Sequence, residues 1–215
     1  MALNLILLTL IVGCAYPLPL AIKSIEDPMI TQAIIVRNVG SVAVLSLWEA
    51  NTGHDWQLIY NFPTVMGKNG LAASGAKKEG DGKTPQGTFG LRRAFGYAPN
   101  ALTKLAYKQV TNEDIWVDDP SSADYNKWIR LPTTARSYEK MKRDDNLYQF
   151  GAVIEYNTDQ VVPGAGSAIF LHVWRRYDHR TTGCVALSQR NLRKVMSRLN
   201  IDRKPVIILN NTDGF

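Results

Sequence analysis

The apolar segments that follow residue 22 are short runs of β-branched and aromatic residues, and turn-forming residues separate them. Residues 31–36 and 42–48 are two such runs, and residues 56–60 alternate apolar with polar side chains. Short runs of this composition are typical of β-strands rather than of helices, which need longer amphipathic segments. The chain is therefore predicted to be mainly β.

Two more strands and one helix are predicted in the second half of the chain. Residues 168–174 form a nearly continuous apolar run, and residues 205–209 form a closing one. Ser188 is a plausible N-cap, and the apolar residues that follow it recur at helical spacing.

Two long segments fit neither pattern. Residues 67–90 are rich in glycine, which favours loops and turns, and residues 111–150 are polar and are interpreted as an insertion or a lid over the sheet. We expect one compact domain over residues 30–212, mainly β with a few helices.

Composition excludes several classes of protein. The 215 residues are 45% hydrophobic and 20% charged, which is ordinary for a globular chain and excludes a disordered or collagen-like one. Only two cysteines are present, Cys14 and Cys184, which excludes a disulfide scaffold and a four-cysteine zinc module. The net charge of +6 permits a polyanionic neighbour, but no nucleic-acid motif accompanies it, and we expect no nucleic-acid partner.

The N-terminus resembles a targeting segment. Residues 2–13 are almost wholly apolar but fall well short of the roughly 20 residues that span a bilayer, which fits the hydrophobic region of a secretory signal. Gly13 and Ala15 suit cleavage after Ala15, whereas residues 11–14 resemble a lipobox that would place a lipid anchor on Cys14. The first four residues carry no Lys or Arg, so a buried N-terminal strand is the alternative. We expect residues 1–22 to be a secretory or lipoprotein signal and the protein to be exported to the periplasm or cell envelope.

Two residues, His172 and Cys184, have side chains suited to nucleophilic catalysis. His172 lies near the end of the predicted strand 168–174, and Cys184 ends the sequence Thr181-Thr182-Gly183-Cys184 just before the predicted helix. A thiol is a modest nucleophile at neutral pH, and an adjacent imidazole increases the thiolate fraction. Gly183 permits close approach of the backbone, and the N–H groups of Gly183 and Cys184 are candidate donors to an oxyanion.

Other interpretations of the same residues stay open at this point. A single cysteine is often a small buried apolar residue, and a histidine on a strand is often structural. A zinc site would use His172, His179 and Cys184, but no fourth ligand completes it, and we expect no metal and no cofactor.

Three ordered segments resemble the YkuD-type L,D-transpeptidases, the cysteine enzymes of bacterial peptidoglycan. The segments are GKNGL at 67–71 with KEGDGKTPQGTF at 78–89, VDDPSSADYN at 117–126, and FLHVWR at 170–175 with TGCVAL at 182–187. Together they span roughly residues 40–190. The resemblance implies a β-sandwich-type catalytic domain with Cys184 as the nucleophile, His172 as the general base and Gly183 beside the oxyanion site.

The sequence departs from the commoner pattern of the family, in which S/T-H-G-C is followed two residues later by Arg. Thr182 occupies the position of that His, and Ala186 occupies the position of that Arg. Substrate-carboxylate binding therefore needs other residues, and we expect Arg175 and Arg176 to supply it.

Further substrate contacts are expected from Thr182, Trp174, Lys83 and Tyr125. Trp174 follows His172 closely enough to wall the pocket, and Lys83 and Tyr125 belong to the two other segments that resemble the family.

The resemblance implies a reaction on the stem tetrapeptides of peptidoglycan. The thiolate attacks the amide carbonyl between the L-centre of a diamino acid and D-Ala, and the resulting thioester passes to an amine, which gives a 3–3 cross-link or exchanges the D-Ala. Resolution by water would make the protein an L,D-carboxypeptidase or endopeptidase. A papain-like protease is disfavoured because its Cys precedes its His by over a hundred residues, and a non-catalytic wall-binding module remains the alternative from another class.

Overall fold

The computed structural model describes residues 18–39, 42–51 and 55–210. The helices are α1 (Leu20–Lys23) and α2 (Gln189–Arg198), and a short 3-10 helix covers Ile201–Arg203. The strands are β1 (Gln32–Val39), β2 (Val42–Ala50), β3 (Trp56–Thr64), β4 (Gly87–Gly90), β5 (Arg93–Gly96), β6 (Ala106–Gln109), β7 (Asp114–Val117), β8 (Trp128–Arg130), β9 (Tyr138–Lys140), β10 (Phe150–Val153), β11 (Phe170–Val173), β12 (Val185–Leu187) and β13 (Val206–Leu209).

These strands form three sheets. The first has the order β3-β2-β1-β13-β4, and the second has the order β12-β11-β10-β5-β6. A third, smaller sheet has the order β8-β7-β9. The first two sheets are joined along one edge, where Val65 after β3 bridges Ala186 of β12. The chain is thus mainly β, as the sequence predicts.

The main core lies between the first two sheets. Ile34 and Leu47 of the first sheet contribute to it, together with Leu171 and Val185 of the second. The apolar face of α2 packs into the same core through Leu192, Val195, Met196 and Leu199. The side chains of a strand alternate between its two faces, so every second residue of β11 and β12 belongs to this core.

The outer face of each large sheet is also covered. Ile22 of α1 packs on the outside of the first sheet against Ala33, Ile35 and Trp48. On the outside of the second sheet, the three-stranded sheet contributes Trp116 to a cluster with Phe95 and Phe170. The polar segment 111–150, predicted to be an insertion or a lid, thus contains a small sheet that covers the second large sheet.

The helix predicted from Ser188 is confirmed, because the Ser188 hydroxyl accepts a hydrogen bond from the N–H of Asn191 at 3.2 Å. The strand predicted at 168–174 is shorter, since Ala168 has a φ of +52°, which is incompatible with extended backbone. Helix α1 is an element that the sequence patterns did not predict. The proposed cleavage site and Cys14 lie outside the described residues. Within the described part of the chain, no helix is long and apolar enough to cross a membrane.

Candidate active site

The pairing of two parallel strands brings His172 and Cys184 to one face. In the register of β11 with β12, His172 lies opposite Ala186. Residues two apart on a strand point to the same side, so Cys184 shares the face of Ala186 and His172. His172 and Cys184 also line the same cavity. The topology therefore provides the juxtaposition that the sequence predicts.

The Cys184 thiol is buried at the end of the loop that precedes β12. Its Sγ donates to the carbonyl of Ala168 at 3.3 Å and accepts from the N–H of Phe170 at 3.4 Å. Only 6% of the residue is exposed, and burial raises the pKa of the thiol to about 12. The resting group is consequently a protonated thiol.

The His172 imidazole is neutral and oriented by the backbone. Its Nδ1 lies 2.8 Å from the carbonyl oxygen of Val173. Because a carbonyl only accepts, Nδ1 carries the proton and Nε2 is left with a lone pair. Burial lowers the pKa of His172 to about 4, and the hydrogen bond to Val173 offsets this only in part. The ring packs edge-on against Tyr148, with 5.1 Å between centroids.

The loop before Cys184 is held by Thr181. The Thr181 hydroxyl donates to the carbonyl of Cys184 at 2.6 Å and accepts the N–H of Gly183 at 3.2 Å. The prediction that the Gly183 N–H points to an oxyanion is therefore not met in this structure. Gly183 instead packs closely against its neighbours, because a Cβ there would lie 3.1 Å from both the carbonyl oxygen of Lys83 and Cδ1 of Ile169.

Two small cavities meet at Cys184. The first, of about 170 Å³, is lined by His172, Cys184, Trp174, Arg175, Thr182 and Arg143, and we call it the imidazole cavity. The second, of about 150 Å³, is lined by Lys77, Glu79, Asp118, Glu139, Thr182 and Cys184, and we call it the carboxylate cavity. A larger open depression of about 790 Å³ runs along residues 138–145 and does not include Cys184. The buried sulfur is thus flanked by space on two sides.

Three of the predicted substrate residues line the imidazole cavity, namely Trp174, Arg175 and Thr182. The guanidinium of Arg175 is more than half exposed and lies 3.2 Å from a carboxylate oxygen of Asp145. Arg176 does not line the cavity, because it turns to the surface and pairs with Asp178 at 2.7 Å. The structure therefore favours Arg175 over Arg176 as a substrate-binding residue.

Two predicted substrate residues line neither cavity. The Lys83 side chain is exposed, and it is the Lys83 backbone that packs against Gly183. Tyr125 is 2% exposed, and its hydroxyl donates to Glu79 at 2.5 Å and accepts the N–H of Gly166 at 3.0 Å. Both predictions of direct substrate contact are corrected: these residues shape the walls behind the cavities.

The segment 117–126 supports the backbone at the sulfur. Asn126 adopts a φ of +56°, and its Oδ1 accepts from the N–H of Ala168 at 3.1 Å and from the Trp116 indole at 2.7 Å. The carbonyl of Ala168 in turn accepts the Cys184 thiol. Asn126 thereby holds a residue in the left-handed region, a conformation that costs energy for alanine and that clusters at functional sites.

The sequence patterns missed three site residues, all from the polar segment. Glu139 on β9 lines both cavities, and its Oε2 accepts the Tyr148 hydroxyl at 2.5 Å. Arg143 lies over the Tyr148 ring, 5.0 Å from its centroid, and also pairs with Asp145. The only signal in the sequence was the density of charged residues at 139–145, which a solvated surface would show as well.

The zinc alternative is not supported by the described residues, among which no group of three or more His, Cys, Asp or Glu side chains is arranged to hold a metal ion. His179 of that proposed set lies on the exposed loop after β11.

Comparison with known families agrees with this geometry. Residues 35–208 match the family model of the YkuD L,D-transpeptidase catalytic domain, and this range covers most of the chain, including both His172 and Cys184. Searches of curated proteins and of solved structures found no match. The match and the fold together show that the chain belongs to the YkuD family of L,D-transpeptidase catalytic domains, a family of peptidoglycan enzymes.

Proposed function

We propose that this protein is a cysteine-dependent L,D-transpeptidase that acts on the stem tetrapeptides of peptidoglycan through a thioester. The observation that carries the proposal is the shared face of β11 and β12, where a neutral imidazole and a thiol line one cavity. Membership of the family supports peptidoglycan stem peptides as the kind of substrate.

The resting protonation states determine how the first step begins. With a pKa of about 12 for Cys184 and about 4 for His172, a thiolate–imidazolium pair is not populated before substrate binds. The proton therefore moves from Sγ to Nε2 of His172 as the new carbon–sulfur bond forms. The attacked carbonyl becomes a tetrahedral oxyanion, for which the backbone N–H of Cys184 is the proposed donor.

Collapse of this intermediate releases the leaving group. The bond between the carbonyl carbon and the D-Ala nitrogen breaks, and the imidazolium returns its proton to that nitrogen. The acyl group stays on Cys184 as a thioester. An amine from a neighbouring stem then attacks the thioester and gives a proton to His172. The carbon–sulfur bond breaks, and the imidazolium returns that proton to Sγ, which regenerates the thiol and leaves the 3–3 cross-link.

Acylation of the sulfur is the first test. Incubation with a carbapenem-type agent, followed by intact-protein mass spectrometry, is expected to add one adduct to the wild type and none to Cys184→Ala. His172→Gln is expected to slow the adduct by roughly 10²- to 10⁴-fold, the usual contribution of a general base. Asp178→Asn changes an exposed residue of the neighbouring loop that lines neither cavity, and this variant is expected to react far faster than His172→Gln. A wild type that stays unmodified would favour a non-catalytic wall-binding module.

Defined muropeptides then identify the fate of the thioester. Cross-linked dimers formed from disaccharide tetrapeptides indicate transpeptidation, which we expect. Tripeptide monomers would indicate an L,D-carboxypeptidase, and loss of added 3–3 dimers would indicate an endopeptidase. Either of the hydrolytic results, without dimers, would overturn the transpeptidase proposal while keeping the cysteine mechanism.

We also propose export of the protein, with a signal within residues 1–22 that ends at or before Ala15, and with residues 30–212 as the catalytic domain, on which α1 packs. Cleavage after Ala15 would leave α1 in place on the first sheet, where Ile22 is buried. Cell fractionation with N-terminal sequencing of the mature protein tests this proposal. A mature chain that begins at Tyr16 indicates a secretory signal, one that begins at a lipid-modified Cys14 indicates a lipoprotein, and an intact cytoplasmic chain overturns export.

A further inference from the structure

The carboxylate cavity contains an excess of negative groups. The carboxyl groups of Glu79, Asp118 and Glu139 line it, and the single ammonium that faces them belongs to Lys77. The Lys77 ammonium is already engaged, since it donates to Asp81 and to the carbonyl of Lys78, each at 2.7 Å. The three carboxyl groups therefore outnumber the single ammonium that lines the cavity.

The hydrogen bonds of these groups confirm the imbalance. Glu79 accepts the hydroxyls of Tyr125 and Ser167, and Glu139 accepts the hydroxyl of Tyr148. None of the ion pairs among the described residues includes Glu79, Asp118 or Glu139.

Asp118 provides an independent observation. Its Oδ1 is buried, and it is the one described side-chain oxygen or nitrogen of that kind without a hydrogen-bond partner. Buried polar atoms are nearly always satisfied, and leaving a charged one unsatisfied is costly. Oδ1 of Asp118 is therefore available to accept a hydrogen bond from a bound group.

The pKa of Glu139 agrees with this arrangement. Burial raises it, the Tyr148 hydroxyl and Arg143 oppose the rise, and the nearby charges of Asp118 and Glu79 add to it. Glu79, Asp118 and Glu139 line the same small cavity, so a cation bound there would face all three carboxyl groups. A bound ammonium would relieve their repulsion.

The position of the cavity assigns it to one part of the substrate. His172 must reach the nitrogen that leaves and the nitrogen that enters, so both amines occupy the imidazole cavity. Cys184 lines both cavities, whereas His172 lines only the imidazole cavity. The carboxylate cavity is left for a group attached to the carbonyl side of the scissile amide, which remains on the enzyme in the thioester.

We propose that the carboxylate cavity binds a primary ammonium at the end of the side chain of the acyl-donor residue, with Asp118 and Glu139 as the specificity-determining residues. The proposal rests on the proposed function and adds the group that selects the donor. The cavity, of about 150 Å³, is small and favours a narrow group such as an alkylammonium chain.

Matched donor peptides test the proposal on the full-length wild type. One pair of stem tetrapeptides contains diaminopimelate or 2-aminopimelate, and the other contains lysine or norleucine, so each pair differs in the distal amine alone. The kcat/KM for release of D-Ala is expected to favour the amine-bearing member by about 10- to 100-fold, the range of a hydrogen bond to a charged group. Equal values within each pair would overturn the proposal.

Variants assign the preference to the cavity. Asp118→Asn and Glu139→Gln keep the shape of each side chain and remove one carboxylate, and we expect each to reduce the preference to less than about threefold. Asp124→Asn is the matched control, because Asp124 lies on the surface of the same segment and pairs only with Lys127. A preference that survives both cavity substitutions would overturn the assignment.

Carbapenem acylation tests the cysteine mechanism separately from the ammonium subsite, because the carbapenem does not contain the side chain of the acyl-donor residue. An adduct together with turnover of both members of a pair at equal rates refutes the ammonium subsite and leaves the cysteine mechanism standing. Absence of both the adduct and peptide turnover refutes the proposed function itself. Circular dichroism of each variant establishes that the fold is retained.

Discussion

The two faces of the second sheet use the same strands for different purposes. On the inner face, Leu171 and Val185 join an aliphatic core and are fully buried. On the outer face, the alternate positions of β11 and β12 carry His172 and Ala186, with Cys184 just before them. Both faces are buried, but only the outer one holds groups that exchange protons.

The difference arises from what covers each face. The inner face meets the first sheet and α2, which offer only apolar side chains to it. The outer face meets the three-stranded sheet and the segment after it, which offer Glu139, Tyr148 and Arg143 beside aromatic rings. A cover of mixed polarity lets titratable groups be buried with partners, which is the condition for strongly perturbed pKa values.

The largest contrast between the faces is expected in activity. Cys184→Ala removes the nucleophile, so release of D-Ala from tetrapeptides should fall by about 10⁴-fold or more. The free energy of unfolding should change by less than about 1.5 kcal/mol, because a small buried side chain is replaced by a smaller one. Kinetics and urea unfolding of the same preparation test both parts. A large loss of unfolding free energy would show that Cys184 stabilises the fold as much as an inner-face residue does, and it would contradict this prediction.

On the inner face, we expect the reverse. Leu171→Ala removes a fully buried side chain one position before His172, and it should cost about 2–5 kcal/mol of unfolding free energy. The folded fraction should still form the carbapenem adduct, since the substituted side chain points away from the cavities. A folded variant that reacts with the agent far more slowly than the wild type would refute the separation of the faces.

The pH dependence of stability reports on the outer face, because the ring of His172 is buried there in its neutral form. The unfolded chain binds that proton near pH 6.5, whereas the folded chain binds it only near pH 4. Between these values the unfolded state holds more protons, so the stability falls as the pH falls. The difference corresponds to about 3 kcal/mol.

Urea unfolding at pH 7, 5.5 and 4 measures this effect. The stability of the wild type minus that of His172→Gln should decrease toward pH 4, which isolates the contribution of the imidazole from that of other groups. A difference that stays constant with pH would contradict the assignment of a buried neutral ring.

The inner face could be predicted from the sequence, and the outer face only in part. The alternation of β-strands and the spacing of residues 192–199 specify which side chains enter the core, because burial of apolar surface is a local pattern. His172 and Cys184 stood out by their residue types and by the resemblance to a family. Glu139, Tyr148 and Arg143 did not, since their position at the site depends on how a polar segment folds over the sheet, and no local period encodes such a long-range contact.

The same reasoning explains the errors at Lys83 and Tyr125. Both belong to segments that resemble the family, and a polar residue in such a segment is readily assigned to the substrate. The structure shows that the segments act through their backbone and their internal bonds, such as Asp81 accepting the N–H groups of Lys78 and Lys83 at 2.9 and 2.8 Å. A motif identifies the place of a site, but which of its side chains reach the cavity is a matter of packing.

The smallest expected effect concerns Tyr148, which connects His172 with Glu139 on the outer face. Its ring packs on His172 and its hydroxyl donates to Glu139, so Tyr148→Phe keeps the packing and removes one hydrogen bond. The unfolding free energy should fall by about 1.5–3 kcal/mol, the usual range for a hydrogen bond to a charged group. Carbapenem acylation should slow only severalfold, because the imidazole keeps its ring contact and its bond to Val173. Stopped-flow acylation and urea unfolding of the same preparation test both values. If acylation slowed as much as in His172→Gln, the Tyr148 hydroxyl itself would take part in proton transfer. The proton path on the outer face would then include a third group besides His172 and Cys184.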